Sequence, residues 1–423
     1  MTNSTDPAPI QPPPRARPPK GRGRLARREA RLAWQLLLPT LAAVSLAVIV
    51  PLLAIFWISF KPVGLADLRP PAPVLRESLR GDGDDMRVEY RLRNSSQDQQ
   101  VTGVTLRDTL PDGVELRGEP EAPCQVEGRE VFCDFGTLEG GDRTRVAIPL
   151  RAAGDPDLVE EAVEGSMPTV TGNASNILTN LDFTFENFIR IFDGAEFWSV
   201  FWVTLFYTFF GTAGALIVGL FAAMLLDKSF RGQGILRGLY LFPYVAPVIA
   251  VAFTWVTLFD PFSGSANALL LQMGVTGEAI NFFGERPLAL IMVTLFEVWR
   301  YFPLSFLFIL ARMQSIDTDM FEAADMDGAS PFQKFWYLSV PQLLGILSVL
   351  FLLRFIWTFN KFDDIFLLTG GNAGTRTLTV NVYEQAFAVS NIGAGAAVAV
   401  VIFLCLVIFS VFFFRVMSRE EGL

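Results

Sequence analysis

The chain has 423 residues, of which 51% are hydrophobic and only 18% are charged. An ordinary soluble domain carries about 25% charged residues, so this composition argues against a soluble enzyme. The formal net charge is −9 and there is no histidine, which excludes Ser-His-Asp and Cys-His catalysis and histidine-ligated zinc or haem. No lysine follows a glycine, so the common phosphate loop of ATPases is absent, and no metal site is predicted.

Six segments are long and apolar enough to cross a bilayer, which takes about 20 apolar residues. A single segment of this kind is also compatible with a buried helix of a soluble protein. Six of them predict an all-α polytopic membrane protein with six transmembrane helices. The segments are residues 34–60, 198–226, 235–260, 287–312, 342–367 and 393–416.

A basic tail at residues 1–33 precedes the first of these segments, with eight Lys or Arg between Arg15 and Arg31. A cleaved secretory signal also begins with positive charge, but its apolar region is only about 7–15 residues long. We therefore interpret residues 34–60 as a retained transmembrane helix. By the positive-inside rule, this tail and the C-terminal tail at residues 417–423 lie in the cytoplasm, and the long insert after the first helix lies outside.

Residues 61–151 of the insert show short segments in which apolar and polar residues alternate. Val88, Tyr90 and Leu92 alternate with charged residues, as the residues of a half-buried strand do. Short, evenly spaced strands of this kind predict an extracytoplasmic β-sandwich domain. Further strands are predicted at residues 101–106, 114–116 and 145–150.

The stretch from Asn94 to Leu138 resembles the conserved-repeat domain of bacterial surface proteins. This resemblance implies an Ig-like fold for the insert and no particular activity. Residues 152–197 are acidic and contain Pro, Gly and Asn, and we interpret them as a linker to the remaining helices.

Two cysteines of the insert flank a predicted hairpin turn at Gly128-Arg129. A two-residue turn places Cys124 directly opposite Cys133, at a non-hydrogen-bonded pair where side chains are closest. Outside the cytoplasm such a pair is expected to form a disulfide. The alternative is two reduced cysteines that fill a small core. Cys405 lies in the last apolar segment and is interpreted as a packing residue.

The loop between the fourth and fifth apolar segments is predicted to form two short helices joined at a glycine. Asp319 is expected to cap the first helix, and Gly328 ends it in a left-handed conformation. Ser330 is expected to cap the second helix, with Pro331 at its first position and Gln333 closing a capping box. A rigid elbow of this kind offers a surface to a partner. A solvated amphipathic loop is the alternative that the residues alone leave open.

Residues within this loop resemble the EAA loop of binding-protein-dependent ABC importers, and its surroundings resemble the larger permease subunit of maltose transporters (MalF). Similar stretches occur at residues 183–188, 239–247 and 368–371, and the resemblance covers about residues 175–416. It implies a type I ABC importer permease whose five-helix core is residues 198–416 and whose coupling loop is residues 319–341. In that family the loop docks into the ATP-binding subunit, and the implied coupling residues are Glu322, Ala323, Ala324, Asp327 and Gly328.

Several ionisable residues fall inside or near the fourth and fifth apolar segments. Glu297 and Arg300 are three residues apart on one helical face, and Arg354, Lys361, Asp363 and Asp364 follow. Charged groups in hydrocarbon cost about 2.5–3.5 kcal/mol each on insertion scales, so they are expected to face a cavity or one another. Both a polar passage for a solute and salt bridges that fix helix packing, such as one between Glu297 and Arg300, remain open.

The resemblance to maltose-type permeases also implies a substrate path on the helices that flank the coupling loop. Aromatic faces and short polar groups suit a sugar, which stacks through C–H groups and bonds through hydroxyls. The amides of the maltose pattern are missing at two of these positions, which questions maltose itself. The implied path residues are Tyr301, Leu304, Trp357, Thr358, Asn360 and Lys361.

The function implied is therefore a channel-forming permease subunit of a bacterial inner-membrane ABC importer, and not an enzyme, translocating a carbohydrate such as a maltodextrin-like oligosaccharide. The alternatives are another solute, such as a glycerol phosphate, or an ion-coupled secondary transporter, for which no inverted repeat is visible. A surface adhesin is a third class, for which one membrane anchor would suffice. No cofactor is expected in this chain, because ATP and Mg²⁺ would bind the partner ATPase. The implied partners are a second permease subunit, an ATP-binding subunit dimer, an extracytoplasmic solute-binding protein, a sugar and membrane lipid, with no nucleic acid.

Overall fold

The computed structural model describes residues 24–81, 85–97, 99–110, 112–152, 161, 163 and 165–420. It divides into a first unit that ends at Ala54 and a second unit, Ile55–Leu423, that holds all the strands and most helices. Residues 1–23 of the basic tail, residues 421–423 of the C-terminal tail and residues 153–160 of the expected linker lie outside the described residues.

The helices make up most of the described structure, and three π-helical turns adjoin them. In chain order they are α1 (Arg24–Val44), α2 (Val50–Ser59), α3 (Glu186–Asp193), α4 (Glu196–Asp227), α5 (Gln233–Tyr240), α6 (Phe242–Val245), α7 (Val248–Leu258), α8 (Ser265–Gln272), α9 (Leu288–Met313), α10 (Thr318–Met326), α11 (Pro331–Lys334), α12 (Val340–Phe359), α13 (Asp363–Thr369), α14 (Leu378–Tyr383) and α15 (Ile392–Glu420). The π-helical turns are Ser45–Ile49, Phe335–Ser339 and Glu384–Ala388.

Among the described residues, five helical segments are long and apolar enough to cross a membrane, and a sixth counts only if a bent pair forms one span. The bent pair, Gln233–Val245 and Val248–Leu258, covers the third predicted span, 235–260, and turns by 90° within it. Pro247 explains the break, because a proline disfavours helical backbone at the residue before it, and Ala246 is extended with ψ 143°. The fifth predicted span, 342–367, instead ends at Phe359.

Glycines allow α4 and α9 to pack closely along their length. A Cβ atom on Gly219 would lie 2.8 Å from the backbone nitrogen of Phe306, and one on Gly211 would lie 2.8 Å from Cγ of Glu297. Both distances are shorter than a Cβ atom tolerates, so only glycine fits at either position. The close approach brings the polar groups of α4 and α9 within hydrogen-bonding distance, which positions the site described below.

The insert forms two four-stranded sheets in which every strand pair is antiparallel. One sheet has the order β1-β2-β7-β4 and the other β5-β6-β3-β8. The strands are β1 (Pro73–Arg80), β2 (Met86–Asn94), β3 (Val101–Thr109), β4 (Val114–Leu116), β5 (Cys124–Glu127), β6 (Glu130–Leu138), β7 (Arg143–Ala152) and β8 (Thr169–Ala174).

Apolar side chains from both sheets meet in one buried cluster. Val88, Tyr90 and Leu92, which the alternation in the sequence assigned to the inner face, are at most 1% exposed, as is Leu106 from the other sheet. The prediction that residues 152–197 form a linker is wrong in part, because β8 lies inside this segment and pairs with β3. The polar sequence of β8 gave no apolar alternation by which to recognise an edge strand.

The hairpin of β5 and β6 has the register expected from its two-residue turn. Cys124 lies opposite Cys133, and Glu127 lies opposite Glu130, with Gly128 in the left-handed region at φ 65°. The two cysteines form a disulfide, and their Cα atoms are 4.0 Å apart. The disulfide therefore closes a hairpin that its own hydrogen bonds already define.

A fully buried lysine joins the two ends of the insert. The Nζ atom of Lys61 donates to the backbone and side-chain oxygens of Asn180, both at 2.6 Å, and to the Asp182 carbonyl at 2.8 Å. It also lies 4.4 Å from the ring centroid of Phe183. Asn187 donates to the Lys61 carbonyl at 2.8 Å. We call Lys61, Asn180, Asp182 and Asn187 the neck, because they hold the entry and exit of the insert together.

An acidic pair lies where the two sheets meet. The hydroxyl of Tyr90 donates to Asp108, and the hydroxyl of Ser166 donates to Glu77. The pKa of Glu77 is raised to about 7, mainly by burial and to a smaller extent by the nearby Asp108 carboxyl, while the hydrogen bond from Ser166 opposes the shift. The folded domain therefore binds a proton on Glu77 at pH values where an unfolded glutamate does not.

Replacing both Cys124 and Cys133 by serine should lower the free energy of unfolding of the full-length chain by about 2.5 kcal/mol, because a closed ten-residue loop restricts the unfolded chain. Chemical denaturation measures the change, and Cys405→Ser is the control that should leave it unaffected. Mass spectrometry of the non-reduced protein should show the crosslinked peptide. Two alkylated thiols at positions 124 and 133 would contradict the disulfide.

The raised pKa of Glu77 predicts that the β domain loses stability as the pH rises. This contribution is fully present below the unfolded value of about 4.5 and disappears as the pH rises through about 7, because the folded state holds the proton more tightly. Thermal unfolding followed by circular dichroism should therefore show a larger drop between about pH 5 and about pH 8 in the wild type than in Glu77→Gln. The exposed substitution Glu127→Gln is the control, and equal drops in all three proteins would refute the prediction.

Candidate functional site

A carboxylate at the centre of the helical body accepts three hydrogen bonds from three different side chains. Glu297 on α9 is fully buried and accepts from Arg354 Nη2 at 2.6 Å, from Thr358 Oγ1 at 2.8 Å and from the Tyr207 hydroxyl at 3.0 Å. These partners come from α12 and α4. A buried charge is tolerated when it is paired and hydrogen-bonded, so Glu297 links the three helices at one point.

The salt bridge between Glu297 and Arg300, one of the alternatives that the sequence left open, does not form. Arg300 instead donates to the carbonyls of Pro243 and Ala246, at 3.2 and 3.1 Å. These two carbonyls lie at the bend between α6 and α7, where the helical hydrogen-bond ladder is interrupted. The arginine thus satisfies backbone groups that the bend releases, and Glu297 pairs with Arg354 of α12.

A cavity of about 260 Å³ lies beside this ion pair. It brings together five of the six residues predicted for the substrate path and adds three others. The lining residues are Tyr244, Glu297, Tyr301, Leu304, Arg354, Trp357, Thr358 and Lys361. The sixth predicted residue, Asn360, does not line the cavity, because its side chain donates back to the Ile356 carbonyl at 2.9 Å.

Aromatic and cationic groups dominate the wall of this cavity. The ring centroid of Tyr301 lies 4.5 Å from Lys361 Nζ and 4.5 Å from Arg354 Cζ, and Trp357 is 52% exposed. The Thr358 hydroxyl is already used by Glu297, whereas the ion pairs of Lys361 are long, at 3.5 Å to Asp363 and 4.0 Å to Asp364. Lys361 is therefore the cation of the cavity with the most freedom to bind a solute.

Two contributors to the site escaped the sequence analysis. Tyr207 lies within an apolar segment rich in phenylalanine, and only its hydroxyl, buried in α4, signals a polar partner. Tyr244 follows Pro243 in α6, a segment for which no role in the substrate path was inferred. Arg354 was recognised as a charge near the fifth span, but its partner on α9 lies 57 positions away in the chain.

The loop 319–341 forms the predicted helix–glycine–helix elbow. Gly328 follows α10 with φ 76°, and the Ser330 side chain caps α11 in a capping box with Gln333. The cap of α10 is Asp317, which accepts from the Asp319 backbone nitrogen at 3.0 Å. The prediction that Asp319 is the cap is therefore wrong, because the helix already begins at Thr318 and includes Asp319 in its first turn.

The elbow is braced internally and exposes large apolar side chains. Lys334 Nζ lies 2.6 Å from Asp325 Oδ1 and so joins the two helices. Met326 is 89% exposed and Phe332 is 71% exposed, and Glu322 lies on the exposed surface of α10. A rigid, protruding surface with exposed apolar side chains is typical of a protein-binding site.

Comparison with known proteins gives a consistent family. Residues 215–420 match the family model of the binding-protein-dependent transport system inner membrane component. The inner membrane ABC transporter permease protein YcjO of Escherichia coli (strain K12) is 36% identical over 236 residues, which cover 55% of this chain and 79% of that protein.

Two further relatives carry the name of a solute. The trehalose/maltose transport system permease protein MalF of Thermococcus litoralis is 31% identical over 55% of this chain and 78% of its own length. The sn-glycerol-3-phosphate transport system permease protein UgpA of Salmonella typhimurium is 32% identical over 56% of this chain and 80% of its own length.

The fold is also that of a solved transporter. A chain in the crystal structure of a bacterial ABC transporter involved in the import of the acidic polysaccharide alginate superposes with a TM-score of 0.51 and 18% identity, over 57% of this chain and 85% of that chain. At this identity the likeness establishes the fold alone. Together with the family match and the relatives, the chain belongs to the binding-protein-dependent transport system inner membrane components and is a permease subunit of an ABC transporter.

Proposed function

We propose that this permease subunit imports a carbohydrate through the cavity beside Glu297. The observation that carries the proposal is the combination, in one cavity, of the aromatic rings of Tyr301 and Trp357 with the loosely paired Lys361. Aromatic faces pack against the apolar faces of a sugar ring, and a few polar groups fix its hydroxyls. A relative named for trehalose and maltose transport supports the same substrate class.

A phosphorylated polyol is the second candidate, and Lys361 favours it. An ammonium group binds phosphate as a compact point charge, and a relative named for sn-glycerol-3-phosphate transport is equally similar. A cavity of about 260 Å³ is slightly smaller than typical ligand pockets, which favours a small solute. An assay with both solute classes therefore distinguishes the two candidates.

The chain is further proposed to work within a complete importer in the bacterial inner membrane. A solute-binding protein would deliver the substrate from outside, a second permease subunit would complete the channel, and an ATP-binding subunit dimer would hold ATP and Mg²⁺. The β domain would be an Ig-like sandwich on the outer side, and both chain termini would lie in the cytoplasm. Two observations support this topology: the disulfide of the β domain, which suits an oxidising compartment, and the basic N-terminal tail.

The elbow is proposed as the coupling loop that docks into the ATP-binding subunit. Its residues Glu322, Ala323, Ala324, Asp327 and Gly328 lie on α10 and at the turn that follows it. The brace between Asp325 and Lys334 would let the two helices move as one body. Force from a closing ATPase would then reach α12, which continues from the elbow through the π-helical turn.

Glu322→Lys should abolish solute uptake while the protein remains in the membrane, because a reversed charge opposes docking of the elbow. Uptake by the assembled importer and co-purification with the ATP-binding subunit measure the effect. Glu278→Lys, a reversal at an exposed position between α8 and α9, is the matched control and should transport normally. Normal uptake by Glu322→Lys would remove the coupling assignment.

Gly328→Pro should also abolish uptake. The backbone at this position has φ 76°, which proline cannot adopt, and the Gly328 nitrogen donates to the Asp325 carbonyl at 3.0 Å. Gly328→Asn should retain most activity, since asparagine tolerates the left-handed conformation. If the proline and asparagine variants transport equally well, the elbow geometry has no role in coupling.

Lys361→Ala should raise the concentration of solute needed for half-maximal uptake by about ten- to a hundredfold, because a hydrogen bond to a charged group is lost. Basal ATPase activity and assembly should be unchanged. Asn360→Ala, next in the chain but outside the cavity, is the control. Loss of assembly would instead assign Lys361 to packing with Asp363 and Asp364, and wild-type uptake of sugars and glycerol phosphates would exclude it from the path.

A further inference from the structure

One face of the sheet β1-β2-β7 carries an array of arginines. Residues on this face alternate with the buried ones along each strand, and the strand register sets them in rows. Four arginine pairs lie directly opposite each other across neighbouring strands. The pairs are Arg76 with Arg91, Arg91 with Arg145, Arg93 with Arg143, and Arg80 with Arg87. We call these seven exposed residues, together with the strand backbone beneath them, the arginine face.

The arginine face opposes the charge of the segment in which it lies. Residues 61–197 contain fourteen Lys or Arg and twenty-six Asp or Glu, yet half of the basic residues are on this one face. Glu89 is the acidic residue among them. A surface selected only for solubility would mix both signs, and the insert has ample acidic residues with which to do so. The separation of charge therefore points to an anionic ligand.

The array also costs stability in the absence of a ligand. Like charges directly opposite each other on neighbouring strands are destabilising. Glu89 relieves two of the seven arginines, with Arg91 Nε at 2.5 Å and Arg145 Nε at 3.5 Å from its carboxylate. Within the described ranges, no acidic side chain forms an ion pair with the other five.

The hydrogen bond from Arg91, followed by the charge of Arg145, holds the pKa of Glu89 below its usual value. This carboxylate is therefore fully used within the face and stays ionised. The guanidinium groups of the remaining five arginines keep their donors for another partner. Those groups are on Arg76, Arg80, Arg87, Arg93 and Arg143.

A groove of about 720 Å³ runs over this face. Arginines 76, 91, 93, 143 and 145 line it, with Val74 at one end. Its volume is within the range of small-molecule pockets. A concave groove with cations in repeated rows suits an extended chain that repeats its negative charge, whereas a protein partner would require a wide and flatter surface.

The direction of the strands argues against a lipid surface as the anionic ligand of the arginine face. Both connections of the β domain to the helices, before Pro73 and after Ala174, leave at the same end, where a Cβ atom on Gly172 would lie 3.3 Å from the Pro73 side chain. The row of Arg93 and Arg143 is at that end of the sheet. Arg80 is at the opposite end, seven residues after Pro73 along β1. The rows thus extend away from the connections to the apolar helices.

We propose that the arginine face binds an acidic oligosaccharide that repeats a carboxylate along its chain. Guanidinium groups bind carboxylates through two parallel hydrogen bonds, and the alkyl stems of the arginines offer apolar surface to sugar rings. This site lies on the β domain and is separate from the translocation cavity. It goes beyond the proposed transport function and does not depend on it.

The experiment measures binding of a galacturonic acid oligosaccharide to the full-length chain in nanodiscs of uncharged lipid, by titration calorimetry. The triple variant Arg76→Gln, Arg93→Gln, Arg143→Gln should weaken binding at least about tenfold, because one hydrogen bond to a charged group is worth roughly that factor. Higher salt should weaken wild-type binding as well. A neutral maltooligosaccharide of equal length should not bind this site.

A matched triple variant carries the same charge change elsewhere. Arg69→Gln, Arg107→Gln and Arg190→Gln lie outside the sheet of the arginine face, before β1, on β3 and on α3, and together they should leave binding at the wild-type level. Equal loss in both triples would mean that only net charge matters and would overturn the proposal. The proposal is also overturned if the wild type does not bind oligogalacturonate or binds the neutral sugar equally well. It is overturned as well if the face variant binds oligogalacturonate normally but loses binding to anionic vesicles or to the solute-binding protein.

Two further measurements test whether the triple variant of the arginine face is folded and functional apart from its binding site. Its thermal unfolding should match or exceed that of the wild type, since removal of opposed charges relieves repulsion. ATPase activity of the assembled importer with its transported solute should be unchanged by the triple substitution. If neither the wild type nor the face variant transports a solute, the proposed transport function is contradicted. If the face variant alone loses oligogalacturonate binding, the proposal for the arginine face is supported.

Discussion

A buried carboxylate among apolar helices must find all its hydrogen-bond donors inside the protein, and Glu297 is the residue on which this constraint falls. Its three donors come from α4 and α12, so the positions of both helices relative to α9 are fixed by one side chain. The glycines of α4 permit the close approach that these distances require. The cavity beside the ion pair exists because Arg354 and Thr358 are held against Glu297 and do not fill the space themselves.

The same constraint explains two other arginine and lysine positions. Arg300 donates to carbonyls released at the bend between α6 and α7, and Lys61 donates to three oxygens at the neck while it is fully buried. In each case a cation replaces the water that backbone oxygens would otherwise bind. Buried cations in this chain therefore join segments that are distant in the sequence through hydrogen bonds to their oxygens.

The parts of the structure that were predictable from the sequence are those whose physics is local. The hairpin of Cys124 and Cys133, the inner face of β2, the glycine turn at Gly328 and the capping box at Ser330 each depend on residues close in the chain. Five of the six residues assigned to the substrate path also line one cavity, although that assignment came from resemblance to a family and not from the residues themselves.

The wrong predictions share a different cause. The partner of Glu297 was sought on its own helix, but the true partner is on another helix, 57 positions away. The bend in the third predicted span was missed because hydropathy does not register the effect of Pro247 on the residue before it. Strand β8 was missed since an edge strand with polar residues is defined by the neighbour that it pairs with. Tertiary pairing is invisible to local patterns.

The neck has a consequence for how such a chain can change over time. Because Lys61 and Asn180 meet, the insert leaves the helical body and returns to it at a single point. A segment with adjoining ends can be gained, lost or exchanged as a cassette while the helices before and after it keep their places. Residues 215–420, which match the family model, lie entirely outside the insert. Substitutions in the insert and in the helical body can then accumulate independently of each other.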